Sequence, residues 1–592
     1  MANGFGTLFI GVSGLQNSQH ALNATANNLA NVDTAGYVRQ QVLFADRDYT
    51  TFNTTASISK QQSGLGVTIG DVVHTRDIFL DRSYRTGTSR QAFYGATHEA
   101  ALEVETYYQE MEGVAYQQAL EDFWVSFQEL AKAPDDSVNR NLVIQKAQLF
   151  LGRADSVYKG LQSFQYNINV QISDDIDRIN ELGKTIHELN LEIQKVEAAD
   201  IETAMTLRDA RDYALDELSG LADISYKEMV DGSVRVSLEG TEFVDEARFY
   251  KMEKKTDKVT GFITPYWGHL SDVERGKYVN VFNFKHDISA ENQNDAGKLK
   301  ALILARGDHV ANYTDVEGLD KKTFNDTTGM SVMLKAEAEL DQMIHGIVTA
   351  INDLLAPNIE AKDFIAMAGG AGATTFDVTL PDGSNYTLQQ GTKILDAEKC
   401  AVGQDGQLPP QELFSRVGTE RYTKATYQYT DAQGVQKTGE IYIYNEEDPA
   451  DDTKQYTLQS LSVNSELIAD QARLPHLMQN GTPDWALAER LVKVWEEDRM
   501  SLNPNNLKPC SFKEYYQEMA GEAAIFAEIY GSTATSLSGA VASIDNQRQQ
   551  VIGVSADEEL TYMIKYQNAY NASSRFINVV DEMIEHLLTQ MG

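Results

Sequence analysis

The stretch Ser555–Met591 reads SADEELTYMIKYQNAYNASSRFINVVDEMIEHLLTQM, and its pattern decides what the rest of the chain has to serve. Ser555 followed three residues later by Glu558 is a capping box. Asp557, Glu558 and Glu559 set negative charge against the positive end of a helix dipole, so a helix is predicted to start near Ala556. From there Met563, Tyr566, Tyr570, Ser573, Ile577, Val580, Ile584, Leu587 and Met591 alternate in steps of three and four, a seam along one helical face. At the opposite end, Met1 to Val32 holds no Asp, Glu, Lys or Arg and is rich in Asn, Gln, Ser and Thr. Leu8, Leu15, Leu22 and Leu29 recur every seven residues there, with Val12 and Ala26 between them, and predict a second narrow seam. The cluster Asn31, Asp33, Thr34 and Gly36 then reads as a helix stop, Gly36 being the natural residue for a positive φ. Neither helix can bury its stripe alone. Each either docks on its own domain or pairs with the other end and with neighbouring copies; the charge-free surface of the first favours pairing, because interface cores are depleted in charge.

Working inward, residues 88 to 225 read as almost entirely helical. Val143, Ala147, Phe150, Ala154, Val157, Leu161, Phe164 and Ile168 keep a heptad. One extra step of four, a stutter, leads to Ile172, Ile179, Ile186 and Ile193, with Leu182, Leu189 and Val196 between them. One helix, or two joined near Ser173, would span on the order of 80 Å at 1.5 Å per residue. After Ser225 the period falls to two at Val234, Val236 and Leu238, and Tyr278, Val279, Val281, Phe282 and Phe284 form a short run with strand character. Helical spacing returns at Leu340, Ile344, Ile347, Ile351 and Leu354 and stops before Pro357. FDVTL, the turn PDGS and YTL read as a hairpin, and 422–429 with 437–444 as a second one around Asp431–Gly434, so roughly 360 to 465 is expected to project as a β insertion. Helix resumes from Phe512, with Leu537, Val541, Ile544, Arg548 and Val551 as a further heptad trace.

The expected fold is therefore α+β and multidomain: terminal helices paired as an antiparallel coiled coil, a long helical bundle, and an outer β-rich domain with an insertion. The expected divisions are 1–45 with 552–592, 46–225 with 500–551, 226–357, and 358–499. A length of 592 residues allows about four domains of ~150 residues each. Hydrophobic residues at 42% and charged residues at 23% exclude wholesale disorder. The charge sum of 50 − 87 = −37 argues against nucleic acid or anionic lipid as a partner. No apolar run reaches the 18 or so residues a membrane helix needs, and no basic, hydrophobic leader opens the chain, so neither membrane insertion nor a cleaved signal is expected.

Chemistry finds no foothold. His187-Glu188 lacks the second histidine of a zinc protease motif, since position 191 is Leu191. Gly64, Gly66 and Gly70 miss dinucleotide-loop spacing and read as turn residues. Cys400 and Cys510 match no metal or redox spacing, and whether they pair is left open. The carboxylates are too dispersed to nominate an acid and a base, so no enzyme, cofactor or metal is expected.

NNLANVDTAGYVRQ, Asn27 to Gln40, resembles the N-terminal signature of the bacterial flagellar axial protein family, carried by Asn28, Ala30, Asn31, Thr34, Gly36, Tyr37, Arg39 and Gln40. The pair Arg39-Gln40 close behind Gly36-Tyr37 is similar to the hook-associated, junction-forming branch. So are GLGVTIGDVVHTRDIFLDRSYR from Gly64, FWVSFQELAKAPDDSVNR from Phe123, LRDARDYALDELSGL from Leu207, GKLKALILARGD from Gly297 and the tail Gly553–Leu588. Ala556 stands where the family usually has Leu. The resemblance implies a non-enzymatic subunit of a homo-oligomeric ring, with hook protein on one side and a second junction protein and the filament on the other. It also implies an export chaperone on the C-terminal helix, and an extracellular flagellar location reached without a cleaved signal. Under this reading Leu8, Val12, Leu15, Leu22 and Leu29 pair with Met563, Tyr566, Tyr570, Ile577, Val580, Ile584 and Leu587 in an inner tube. The alternatives are a hook or distal-rod subunit, which would lack the 143–196 heptad, and a surface adhesin acting through 360–465.

Overall fold

The structure, a computed structural model, describes residues 2–34, 36–47, 50–53, 61–109, 116–198, 203–284, 288–370, 372–430 and 434–591. In chain order the helices are α1 (Ala2–Ala30), α2 (Ile78–Gln109), α3 (Tyr116–Lys132), α4 (Ser137–Glu197), α5 (Met205–Leu221), α6 (Lys298–Arg306) and α7 (Lys321–Asp326). They continue with α8 (Val332–Leu355), α9 (Lys362–Gly369), α10 (Ser465–Ala469), α11 (Trp485–Lys493), α12 (Phe512–Ile552) and α13 (Ala556–Met591).

The spine is α4, capped by Asp136, whose side chain accepts from Val138 N at 2.9 Å. It runs 61 residues without a break at Ser173, about 90 Å at 1.5 Å per residue. Its heptad residues from Val143 to Ile193 are buried against α2, α3, α5, α6 and α8, but Leu189 is only half-buried and Val196, beyond them, is exposed. Phe164 is a further exception. It lies half-buried at the margin, and the deeper seat goes to Gln165, whose amide donates to Arg306 O at 2.8 Å and His309 O at 2.9 Å.

Three buried asparagines on α4 fix the β structure that follows. The Asn190 amide brackets Val234 (N at 3.0 Å, O at 2.8 Å), and Asn180 brackets Met252 (N at 2.8 Å, O at 2.9 Å). Asn169 accepts from Ile263 N at 2.8 Å and donates to Gly261 O at 3.2 Å. Each satisfies backbone groups that burial against a helix would orphan, at a cost of roughly 1–3 kcal/mol apiece if left unmade. Val234 opens the middle strand of an antiparallel sheet (224–228, 234–238, 241–244), and Met252 and Ile263 begin the two strands of a hairpin (252–256, 263–267). The run Tyr278–Phe284, expected as a strand, is not one. It meets the hairpin at an isolated bridge, Tyr266 to Asn280, with the Tyr278 ring packed on Tyr266, and turns Val281 and Phe282 into the core.

The insertion is a six-stranded antiparallel sheet in the order 358–360, 393–395, 436–444, 422–430, 375–379, 385–389. Both expected hairpins are present, while residues 431–433 of the second turn lie outside the described residues. α9 covers one face over a separate small core of Ile365, Val378, Leu388, Ile394, Ala425, Ile441 and Ile443. Residues 445–499, grouped with this insertion on sequence, pack elsewhere: Tyr456, Leu458, Leu491 and Trp495 belong to the main core. The chain then returns along α12, opened by a reciprocal capping box between Ser511 and Glu514, which lies against α2.

Candidate assembly site

α1 and α13 pack antiparallel: Gly11 faces Phe576 and Ile577, Gly14 faces Ser573, and Asn28 reaches Glu559. The contact seam of α1 is not its leucines. Gly11, Gly14, Ser18, Ala21, Thr25 and Asn28 follow the same three-and-four alternation one phase over. All but the partly buried Gly14 are buried, whereas Leu8, Val12, Leu15, Leu22 and Leu29 flank the seam half-buried. The reason is steric. A Cβ on Gly11 would stand 2.7 Å from Ile577 Cγ1, and one on Gly14 would stand 2.8 Å from Ser573 Oγ, so the helices approach more closely than leucine allows. One flank of α1 is held by the antiparallel ribbon 40–46 with 67–74. Asn17 donates to Val67 O at 2.6 Å, and Gly66, at φ +92°, leaves room for Ser13 Oγ.

On α13 the expected face points at α1: Val580 is buried, and Met563, Tyr566, Ile577 and Ile584 are half-buried. Tyr570 at 36% and Leu587 at 59% are exposed, and the Met591 side chain lies outside the described residues. Outside that contact α13 carries Leu560, Ile564, Val579, Met583 and Leu588, all large, apolar and exposed within this chain, while Phe576, 41% exposed, flanks Gly11. Apolar area of that extent along one helix marks an interaction surface.

The Asn27–Gln40 motif ties this pair together at its base. Buried Asn28 makes all four hydrogen bonds open to an amide. Its Oδ1 accepts from Tyr37 Oη at 2.8 Å and Gln40 N at 3.0 Å, and its Nδ2 donates to Gln40 O at 2.9 Å and Glu559 Oε2 at 3.1 Å. Asn31 receives the Thr34 hydroxyl at 3.2 Å, and Gly36, at φ +78°, lets the Tyr213 ring come within 3.0 Å of where a Cβ would sit. Ala30 is exposed. Arg39 Nε pairs with the buried Glu559 at 2.8 Å and its Nη1 with Glu558 at 3.3 Å. Burial, reinforced by Asp209 and Glu559, pushes the Tyr37 hydroxyl up to about 12, so it stays a donor at any physiological pH.

Below the motif lies an ionic clamp that sequence reasoning missed. Asp209, Asp212 and Asp216 lie on one face of α5, three and four residues apart. Asp209 accepts from Val38 N at 3.2 Å and lies 3.1 Å from His74 Nδ1. Arg85 spans Asp212 at 3.1 Å and Asp216 at 2.6 Å, while Arg76 reaches Asp212 and, at 3.2 Å, Asp81. Arg548, near the end of α12, closes the network on Asp81 and Asp216 and stacks 4.7 Å over Tyr84. Two signals were there to be read: the spacing of the α5 aspartates, and an arginine inside an otherwise apolar heptad trace.

The arrangement positions surfaces rather than reacting groups. Among the described residues no cluster of His, Cys, Asp and Glu has the makings of a metal site, and no helix is long and apolar enough to cross a membrane. Cys400 and Cys510 are both free and buried.

Three family models match the chain: Flagella basal body rod protein over 8–37, Flagellar hook-associated protein FlgK helical domain over 101–368, and Flagellar basal body rod FlgEFG protein C-terminal over 546–591. Flagellar hook-associated protein 1 of Bacillus subtilis (strain 168) is 25% identical over 587 residues, 98% of this chain and 96% of that protein. Its counterpart in Salmonella typhimurium is 20% identical over 593 residues, 98% of each chain. A solved structure of the flagellar hook junction protein FlgK from Burkholderia pseudomallei aligns with a TM-score of 0.48 and 13% identity, covering 79% of this chain and 100% of that one. Both terminal segments, the helical body and nearly the whole length of the chain are thus similar to flagellar hook-associated protein 1 and its axial relatives.

Proposed function

We propose that this protein is a structural subunit of the bacterial flagellum that forms the junction between hook and filament and is required for filament assembly. The observation that carries the reading is the terminal helix pair: its inner seam is closed by small residues, while α13 leaves five large apolar side chains exposed outside that seam. Such a surface is completed by further copies and axial neighbours. In this reading the pair α1–α13 (1–45 with 552–592) lies in an inner tube and the helical body (46–225 with 500–551) surrounds it. The parts 226–357 and 358–499 face outward and set spacing. The copies form a ring, with hook protein on one side and a second junction protein and the filament on the other.

The role needs no catalytic residue. The chain reaches the cell exterior by export without a cleaved signal, and a chaperone shields the exposed face of α13 beforehand, since that face would otherwise associate prematurely. The family match over 101–368, which takes in the long α4, favours the junction role over a hook or distal-rod subunit. Electron microscopy of a strain lacking this gene tests the proposal. Intact hooks without filaments, with filament subunits released into the medium, are expected. Missing hooks would overturn it in favour of a hook or rod subunit, and normal filaments would overturn it outright.

A further inference from the structure

A cavity of about 230 Å³ opens between α3, the turn that follows α11 and the first turn of α12. Gln117, Leu120, Glu121 and Trp124 present one face of α3 to it, at the i, i+3, i+4, i+7 spacing of a helix side. Leu120, Trp495 and Tyr516 are buried and form its floor, and Trp124 is the half-buried ring that remains reachable. The rim is acidic: Glu121, Glu496, Asp498 and Glu514 stand against the single ammonium of Lys513, which lies 3.8 Å from Glu121 with both side chains well exposed.

An indole wall beneath a carboxylate rim selects a particular cation. A compact ammonium keeps its hydration and gains little from the ring. A guanidinium is planar and weakly hydrated, stacks on an indole face, and offers a fork of donors that two carboxylates can share. The volume takes one long side chain and not a helix. A net charge of −37 on the whole chain draws basic partners towards it over distances beyond contact. None of these residues belongs to the terminal helix pair or its clamp.

We infer that this cavity docks an arginine side chain presented on an extended, basic segment of a partner protein. The test uses the full chain in a Trp485→Phe background, which silences an exposed indole elsewhere and leaves Trp124 and Trp495 at the cavity with the buried Trp267. Acetyl-Gly-Arg-Gly-amide is titrated against indole emission, with the citrulline peptide as the uncharged isostere and spermidine as a non-protein cation. The arginine peptide is expected to change the emission saturably, with affinity falling as salt is raised. The citrulline peptide should bind at least tenfold more weakly, and Glu121→Gln with Asp498→Asn should weaken the arginine peptide at least tenfold while leaving the circular dichroism unchanged. Trp124→Ala should abolish binding, and the rim variant keeps the test decisive if that protein fails to fold. Equal binding of the two peptides, or an unaffected rim variant, overturns the inference. Spermidine binding more tightly than the peptide would overturn the assignment to a partner protein. A rim variant that alters only self-association in sedimentation would replace the partner with a second copy of the chain.

Discussion

Replacing Arg548 by alanine is the sharpest probe of how the terminal helix pair is mounted on the body. The guanidinium is 7% exposed and joins Asp81, at the start of α2, to Asp216 on α5. Removing one member of a buried ion pair costs about 3–5 kcal/mol, because the partner charge is left in a poorly solvated site. Here Arg76 still faces Asp81 and Arg85 still holds Asp216, so the lower end applies, about 3 kcal/mol. That cost falls on local opening of the last turns of α12 and the first turns of α2. At 1.36 kcal/mol per decade, native-state hydrogen exchange of those amides should accelerate roughly a hundredfold, while the centre of α4 is unchanged. Arg548→Lys, which keeps one charge but loses the fork and the stacking on Tyr84, should fall between. Exchange in Arg548→Ala within about threefold of the parent would refute the reasoning, since ~0.6 kcal/mol is what an exposed pair contributes.

Three further outcomes follow from the same geometry. Gly11→Val drives a side chain into Ile577 and should destabilise the α1–α13 pair by about 1–3 kcal/mol in a thermal melt, with partial rescue by Ile577→Ala; a neutral effect would mean the seam is looser than described. A Gly14→Cys, Ser573→Cys double variant places the two Cβ atoms about 3.6 Å apart, inside the disulfide range, so oxidation of the full chain should give an intramolecular crosslink by peptide mass mapping, and its absence would contradict the antiparallel register. Burial holds Glu339 up at about 8, so its folded form keeps a proton that the unfolded chain releases above about 4.5, and stability falls as pH rises between those values. Glu339→Gln, which still accepts from Asn503, should therefore come close to the parent near pH 5 and exceed it by about 3–4 kcal/mol near pH 8 in urea melts; a parallel offset at both pH values would exclude this carboxyl as the cause.

The periods of this chain were legible in its sequence, but the phase of one decisive seam was not. Both ends advertise seven-residue repeats, and the α13 face from Met563 to Ile584 points where its spacing says. On α1 the leucines drew attention because apolar size is what a periodicity search weighs. The close approach of the two helices depends instead on the residues that are smallest, Gly11, Gly14, Ser18 and Ala21. The motif residues Asn28, Tyr37 and Arg39 could be named, whereas their partner Glu559 was readable only as a charge at a helix start. The clamp stayed hidden because its members come from four separate stretches, with Asp81 and Arg548 joined across 467 positions. Both hairpins of the insertion were visible through their turns, but its strand order is set by non-local pairing. Residues 445–499 carry no period, so nothing local showed Tyr456 and Trp495 returning to the main core.

The outer face of α13 offers the most direct test of the central claim. Ile564 and Met583 are 61% and 62% exposed, so Ile564→Asp with Met583→Asp should leave the urea midpoint of the purified chain within about 0.5 kcal/mol of the parent. If that face is completed only by neighbouring subunits, cells carrying the double variant as their sole copy will build hooks that bear no filaments. Filaments of normal number and length on those cells would contradict the account.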